Sequence, residues 1–144
     1  MRFALKPEFE DITYFGMGDR ECYVDYHEHA KMNVWNSTVT DEYEPYIVPQ
    51  DCGNHINVKW LELKSDTDSV EFSADRAFEF SALHYTMEEM YEKAHAFELE
   101  KSDSTEVMVC YKNRGVGSNS CGPALSRKYC VTDKVIDFEF NIKI

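Results

Sequence analysis

Most of the chain alternates apolar and polar residues with a period of two, the pattern of half-buried antiparallel strands. The C-terminal run is the clearest case. Ile136, Phe138, Phe140, Ile142 and Ile144 are apolar, and Asp137, Glu139, Asn141 and Lys143 fall between them. Ile56, Val58 and Trp60 form a second alternating set, with Asn57 and Lys59 expected outward. Val70, Phe72 and Ala74 predict a strand, Phe78, Phe80 and Ala82 another, and Ala74-Asp75-Arg76-Ala77 suits a hairpin between them. Val107, Val109 and Tyr111 add a further strand, and Ile12 to Phe15 a short one.

One segment departs from that period. Thr86-Met87-Glu88-Glu89 has capping-box spacing, and Met87, Met90, Tyr91 and Ala94 recur at helical intervals. Lys93 and His95 stand where cations suit the helix dipole, so a helix is predicted over Met87 to His95. The expected class is all-β with one short helix that bridges strands or closes the end of a sandwich. Punctuation lies elsewhere: Gly16-Met17-Gly18-Asp19, the Pro- and Gly-bearing stretch 45–55, and Arg114 to Pro123. No repeat or linker divides the chain, which reads as a single domain over 1–144.

Composition narrows the function. The 144 residues carry 15 Lys plus Arg against 27 Asp plus Glu, a formal charge of −12. An acidic surface repels phosphate and anionic lipid, which argues against nucleic acid and membranes as partners. A complete (β/α)8 barrel needs about 250 residues and does not fit. Five cysteines, at 22, 52, 110, 121 and 130, contain no Cys-x-x-Cys pair, which speaks against a disulfide framework or a structural zinc site. The start of the chain lacks an apolar signal region. Free thiols in a reducing cytoplasm are expected, and Asn36-Ser37-Thr38 is then a chance glycosylation sequon.

Candidate chemistry is sparse. Gly115-Val116-Gly117-Ser118-Asn119-Ser120-Cys121-Gly122-Pro123 has Ser at the third fingerprint position and no Gly-Lys-Ser/Thr ending. It suits a loop presented to a ligand better than a phosphate cradle. His27-x-His29 offers two imidazoles without a third ligand, and surface histidines are the simpler reading. Cys121 with His55, His84 or His95 lacks the surroundings of a thiol nucleophile. Glu88-Glu89 and Asp66-x-Asp68 read as a solvated helix face and a turn rather than an acid pair. Tyr23, Tyr26, Trp35, Tyr43 and Tyr46 could stack on sugars, although most aromatics of a β-domain pack its core.

Several segments together carry a resemblance. Tyr14-Phe15-Gly16-Met17-Gly18 is followed by Glu21, Tyr23 and Asp25. Pro45-Tyr46-Ile47-Val48-Pro49-Gln50-Asp51-Cys52-Gly53-Asn54-His55 precedes Val58-Lys59-Trp60-Leu61. Phe80-Ser81-Ala82-Leu83, Tyr85-Thr86, Glu88-Glu89, His95 and Glu98-Leu99 come next, and then the loop Gly115 to Pro123. In this order they resemble the C-terminal, small-chain domain of the β-galactosidases of glycoside hydrolase family 2.

That resemblance implies an antiparallel supersandwich of the galactose mutarotase type, of which this chain is the C-terminal part. It implies no catalytic residue here, because the family's Glu pair lies in a separate barrel domain. The loop that holds Gly115, Gly117, Ser118, Asn119, Ser120, Cys121 and Gly122 would reach over that barrel's active site beside the leaving group of the β-galactoside. Cys121 stands where the family places Trp, Asp19 where it has Pro, and Tyr26 where a basic residue is common. A thiol offers less stacking surface than an indole. Gly16, Gly18, Glu21, Tyr23, Asp25, Pro45, Tyr46, Pro49, Gln50, Gly53, Asn54 and Trp60 would be structural motif residues. No cofactor or metal is expected in this chain; Mg and Na ions of a parent enzyme would be bound elsewhere. The expected partners are the catalytic and other domains of that parent. With part of the sandwich absent, the isolated chain is expected to self-associate. A free-standing carbohydrate-binding module and a purely structural or oligomerisation domain are the alternatives.

Overall fold

Strand formation follows the alternation, and a computed structural model describes residues 1–117 and 123–144. The strands are β1 (Arg2–Leu5), β2 (Asp11–Gly18), β3 (Lys31–Thr38), β4 (His55–Lys64), β5 (Ser69–Leu83), β6 (Thr105–Cys110) and β7 (Asn141–Lys143). They make one seven-stranded sheet in the order β1-β6-β5-β4-β2-β3, with β7 also on β5, and every pairing is antiparallel. The all-β class with one short helix holds.

One face carries the core. Ile12 and Tyr14 from β2, Val58, Leu61 and Leu63 from β4, Phe72, Phe78 and Phe80 from β5, and Val107 and Val109 from β6 are almost fully enclosed. Burying each such side chain stabilises the fold by roughly 1.5–3 kcal/mol. The opposite face keeps an apolar row. Phe15 pairs with Val34 on one side and Trp60 on the other, and Met17 pairs with Met32. Val34 is 48% and Met32 47% exposed.

Four expectations need correction. Residues 74–77 are not a hairpin: β5 runs unbroken from Ser69 to Leu83. Both of its halves lie along β4, Phe72 opposite Leu61 and Phe78 opposite Val58, and the even-numbered positions keep one parity throughout. Trp60 does not share a face with Ile56 and Val58. The register of β4 shifts on both sides of Val58, and Asn57 adopts φ 57. Ile56 and Val58 stay buried on either side of Asn57, and the second shift, between Val58 and Trp60, changes the parity, so Leu61 and Leu63 point inward instead. The C-terminal run pairs only over Asn141–Lys143. Phe138 and Phe140 pack on the core, whereas Ile136, Ile142 and Ile144 are exposed.

The helix α1 covers Met87–Glu92 and stops short of His95. Its predicted cap forms, with Thr86 Oγ1 accepting from the Glu89 N–H at 3.0 Å. Beyond it, the Glu98 carboxylate accepts from the N–H groups of Ala94 and His95, 3.0 and 2.9 Å away, and a 3₁₀ turn at Ala96–Glu98 replaces further α-helix. Within the helix Met90 is buried and Tyr91 lies 92% exposed.

Candidate loop platform

The connections on either side of β3, residues 19–30 and 39–54, lie outside the strand ladder, so their buried polar groups need partners from side chains. Glu21 supplies two. Its carboxylate is buried, accepting from the Gly53 N–H at 2.9 Å and from the Tyr46 hydroxyl. Gly53 sits at φ +67, and a Cβ there would lie 2.5 Å from the Glu42 carbonyl oxygen, so only glycine passes this point without strain. Tyr23 is enclosed and donates to the Asp51 carbonyl at 3.4 Å. Burial, with Glu21 nearby, raises the pKa of Asp51.

Asn54 joins this layer to the sheet. Its carbonyl accepts from the Cys22 N–H at 2.6 Å, and its side-chain amide donates to the Cys22 carbonyl at 2.9 Å and to Glu79 at 3.1 Å. Asn113 donates to Asn54 Oδ1 at 2.9 Å, bringing in the segment after β6. Burial raises the pKa of Glu79, opposed by its bonds from Asn54 and Asn113.

From Cys22 the chain enters a tight turn in which Tyr23 and Tyr26 exchange both backbone hydrogen bonds at 2.9 Å. Asp25 lies inside that turn and reaches the stem of the glycine loop. Its Oδ1 accepts from the Val116 N–H at 3.0 Å and its Oδ2 from the Gly117 N–H at 2.8 Å. The Gly115 N–H donates to the Tyr129 carbonyl at 2.9 Å. A Cβ on Gly115 would sit 2.5–2.7 Å from the Asp25 carboxylate, and one on Gly117 at 2.9 Å, so a side chain at either position would displace that carboxylate.

The motif segments at 14–25 and 45–55 and the loop stem, remote in sequence, are therefore one hydrogen-bonded platform. Ser118, Asn119, Ser120, Cys121 and Gly122 lie outside the described residues. Gly16 and Gly18 are buried in β2, and Pro49 is buried within the 45–55 stretch, while Pro45 and Gln50 are exposed. Trp60 lies on the outer row and takes no part in the platform.

A second polar centre was not expected. His55, fully buried at the start of β4, holds the Glu42 carboxylate at 2.5 Å through Nε2. Its Nδ1 lies 2.9 Å from the Tyr14 hydroxyl and 3.3 Å from the Met17 carbonyl. Burial opposes a charge on the ring, but the Cys22 sulfur and Glu42 outweigh it, raising the pKa to about 9. Enclosed this way, the imidazole needs partners, and Glu42 and Tyr14 supply them.

The other candidates separate. His27 Nδ1 donates to the Tyr23 carbonyl and His29 Nε2 to the Glu21 carbonyl, each at 3.1 Å, so neither ring is aimed at a shared ligand. His84 is committed to Glu10 at 2.6 Å and His95 stacks on Phe97. Glu88 pairs with Arg2 at 2.7 Å, and Glu89 accepts from the Glu100 N–H. Asp66 and Asp68 stand in a turn closed by Ser65. Tyr43 packs on Tyr85, and the Trp35 indole N–H bonds backbone carbonyls of Gly16 and Lys31. Cys22, Cys52, Cys110 and Cys130 are free thiols, and burial pushes Cys52 up to about 12. Among the described residues no helix is long and apolar enough to cross a membrane.

The β-galactosidase small-chain family matches residues 1–144. A β-galactosidase of Actinobacillus pleuropneumoniae is 35% identical over 143 residues, covering 99% of this chain and 13% of the relative. One of Staphylococcus xylosus is 34% identical over 140 residues, 97% of this chain and 14% of the relative. One of Bifidobacterium adolescentis is 32% identical over 150 residues, 100% of this chain and 14% of the relative. The chain thus spans 13–14% of the length of these relatives. It belongs to the β-galactosidase small-chain family.

Proposed function

We propose that the chain acts as a non-catalytic C-terminal domain of a β-galactosidase, completing the leaving-group side of the active site and supporting assembly. The observation that carries this reading is the end-to-end match to about one-seventh of β-galactosidases, which leaves the remaining length of those relatives to supply the catalytic machinery. The parent would hydrolyse terminal β-D-galactosides such as lactose.

The geometry agrees. The buried carboxylates Glu21, Glu42 and Glu79 are each engaged by groups of the fold, which suits structure better than proton transfer to a substrate. The platform spends its polar groups on aiming the loop that begins at Gly115. The apolar outer row of Phe15, Trp60, Val34 and Met32 suits cover by the remaining layer of the sandwich in a longer chain. Free thiols at four described positions fit a reducing compartment such as the cytoplasm.

The test uses the pure 144-residue chain. It should release no chromophore from a chromogenic β-galactoside, and turnover there would place the chemistry inside the chain. Titration with galactose and lactose should show no saturable binding by calorimetry. Millimolar binding would favour a free-standing carbohydrate-binding module instead.

A further inference from the structure

Asp25 is more than one structural motif residue among several. We propose that it is a positioning residue for leaving-group selectivity: its carboxylate fixes the direction in which the glycine loop departs from the sheet. The inference rests on the proposed place of that loop beside the leaving group.

Three consecutive stem amides are claimed. Gly115 N–H goes to the Tyr129 carbonyl, Val116 N–H to Asp25 Oδ1 and Gly117 N–H to Asp25 Oδ2, at 2.9, 3.0 and 2.8 Å. Two adjacent donors on the two oxygens of one carboxylate define an orientation as well as a position, and charge assistance strengthens both bonds. The anchor is itself held. Tyr23 and Tyr26 close its turn from both sides, and Cys22, just before it, is bonded at N–H and carbonyl by Asn54. Asn54 opens directly onto His55 and the buried sheet. Rigidity therefore passes from the core to the stem through main-chain bonds, with the Asp25 side chain as the last step.

The chemistry at this step is demanding. Asparagine keeps one carbonyl oxygen and presents an NH₂ where the other amide needs an acceptor. Alanine offers none. Any side chain at 115 collides with the carboxylate, since its Cβ would approach within 2.5–2.7 Å. Asp25 and Gly115 thus form a matched pair.

Two measurements test this. In the 144-residue chain, Asp25→Asn and Asp25→Ala should raise hydrogen exchange at the Val116 and Gly117 amides by about tenfold or more, leaving Phe72 and Phe80 unchanged. In the full-length β-galactosidase, the same variants should raise KM for lactose about 3- to 10-fold and alter the ratio of transfer to hydrolysis. Degalactosylation, from which the leaving group has gone, should stay within about twofold. A uniform fall in all steps would mean a merely structural role and would overturn the proposal. Gly115→Ala should reproduce the lactose effect alone and add little to Asp25→Ala, because the clash it creates needs the carboxylate. Full additivity would sink the matched pair. Unchanged exchange at 116 and 117 would refute the anchor itself. Faster exchange with unchanged KM would keep the anchor but remove the loop from the leaving group, overturning the proposal together with the reading beneath it.

Discussion

Two carboxylates hold this domain together in opposite ways. Glu42 is buried and faces a buried imidazole, His55, at 2.5 Å. Asp25 is half-buried and faces two peptide N–H groups of a surface loop. The first pair is enclosed by Tyr14, Met17 and Cys22, and water cannot replace either partner. The second can exchange its partners for water at little loss. The same functional group thus serves stability in one place and orientation in the other, and burial decides which.

The largest effect should come from breaking the enclosed pair. Glu42→Ala leaves an imidazole with no carboxylate and should destabilise the chain by about 3–5 kcal/mol in urea unfolding. A loss below about 1 kcal/mol would mean that the pair is no better than its desolvation.

The pair also predicts a pH window. The folded pKa of His55 is raised to about 9 from an unfolded value near 6.5, so the folded state retains a proton that the unfolded state has lost between them. Its contribution is therefore complete below about pH 6.5 and disappears as pH rises through about 9, amounting to roughly 3 kcal/mol. Comparing unfolding free energies of the wild type and Glu42→Gln from pH 6 to 10 isolates it. The variant should show the shallower decline, and parallel curves would assign the slope to other groups.

Gly53 sits where the two systems meet. Its N–H serves Glu21, and the missing Cβ leaves room for the Glu42 carbonyl. Gly53→Ala should cost about 1–3 kcal/mol from positive φ and the steric contact together. A neutral result in the same unfolding assay would mean that the turn between Glu42 and Asn54 repacks freely.

How much of this was legible depended on where the signal lay. The sheet's buried face was readable at Phe72, Phe78, Phe80, Val107 and Val109, because burial on one side alone produces alternation. The edge strand β3 escaped notice: Lys31, Met32, Asn33 and Val34 are all exposed, so burial imposed no pattern. The register shifts on both sides of Val58 were hidden because a change of parity within one strand looks locally like ordinary alternation. The site divided similarly. Family resemblance marked Glu21, Tyr23, Asp25, Asn54 and the glycines, but no spacing rule joins Asp25 to Gly117 across 92 positions. Such a contact exists only after the sheet has brought β2 and β6 to the same end. Glu42 carried no motif, His55 only closed the stretch 45–55, and packing alone defines their pairing.

The smallest expected effect sharpens the contrast most. Asp25→Asn removes one strong acceptor at a site where water can enter, so unfolding stability should fall by about 1 kcal/mol or less. A loss comparable with that of Glu42→Ala would make Asp25 a second structural keystone, and the two carboxylates would no longer differ in kind. A near-neutral unfolding midpoint, beside rapid exchange at Val116 and Gly117, would instead separate the two roles in one variant. The fold would then rest on burial around His55, while the loop's direction rests on a carboxylate that the fold can do without.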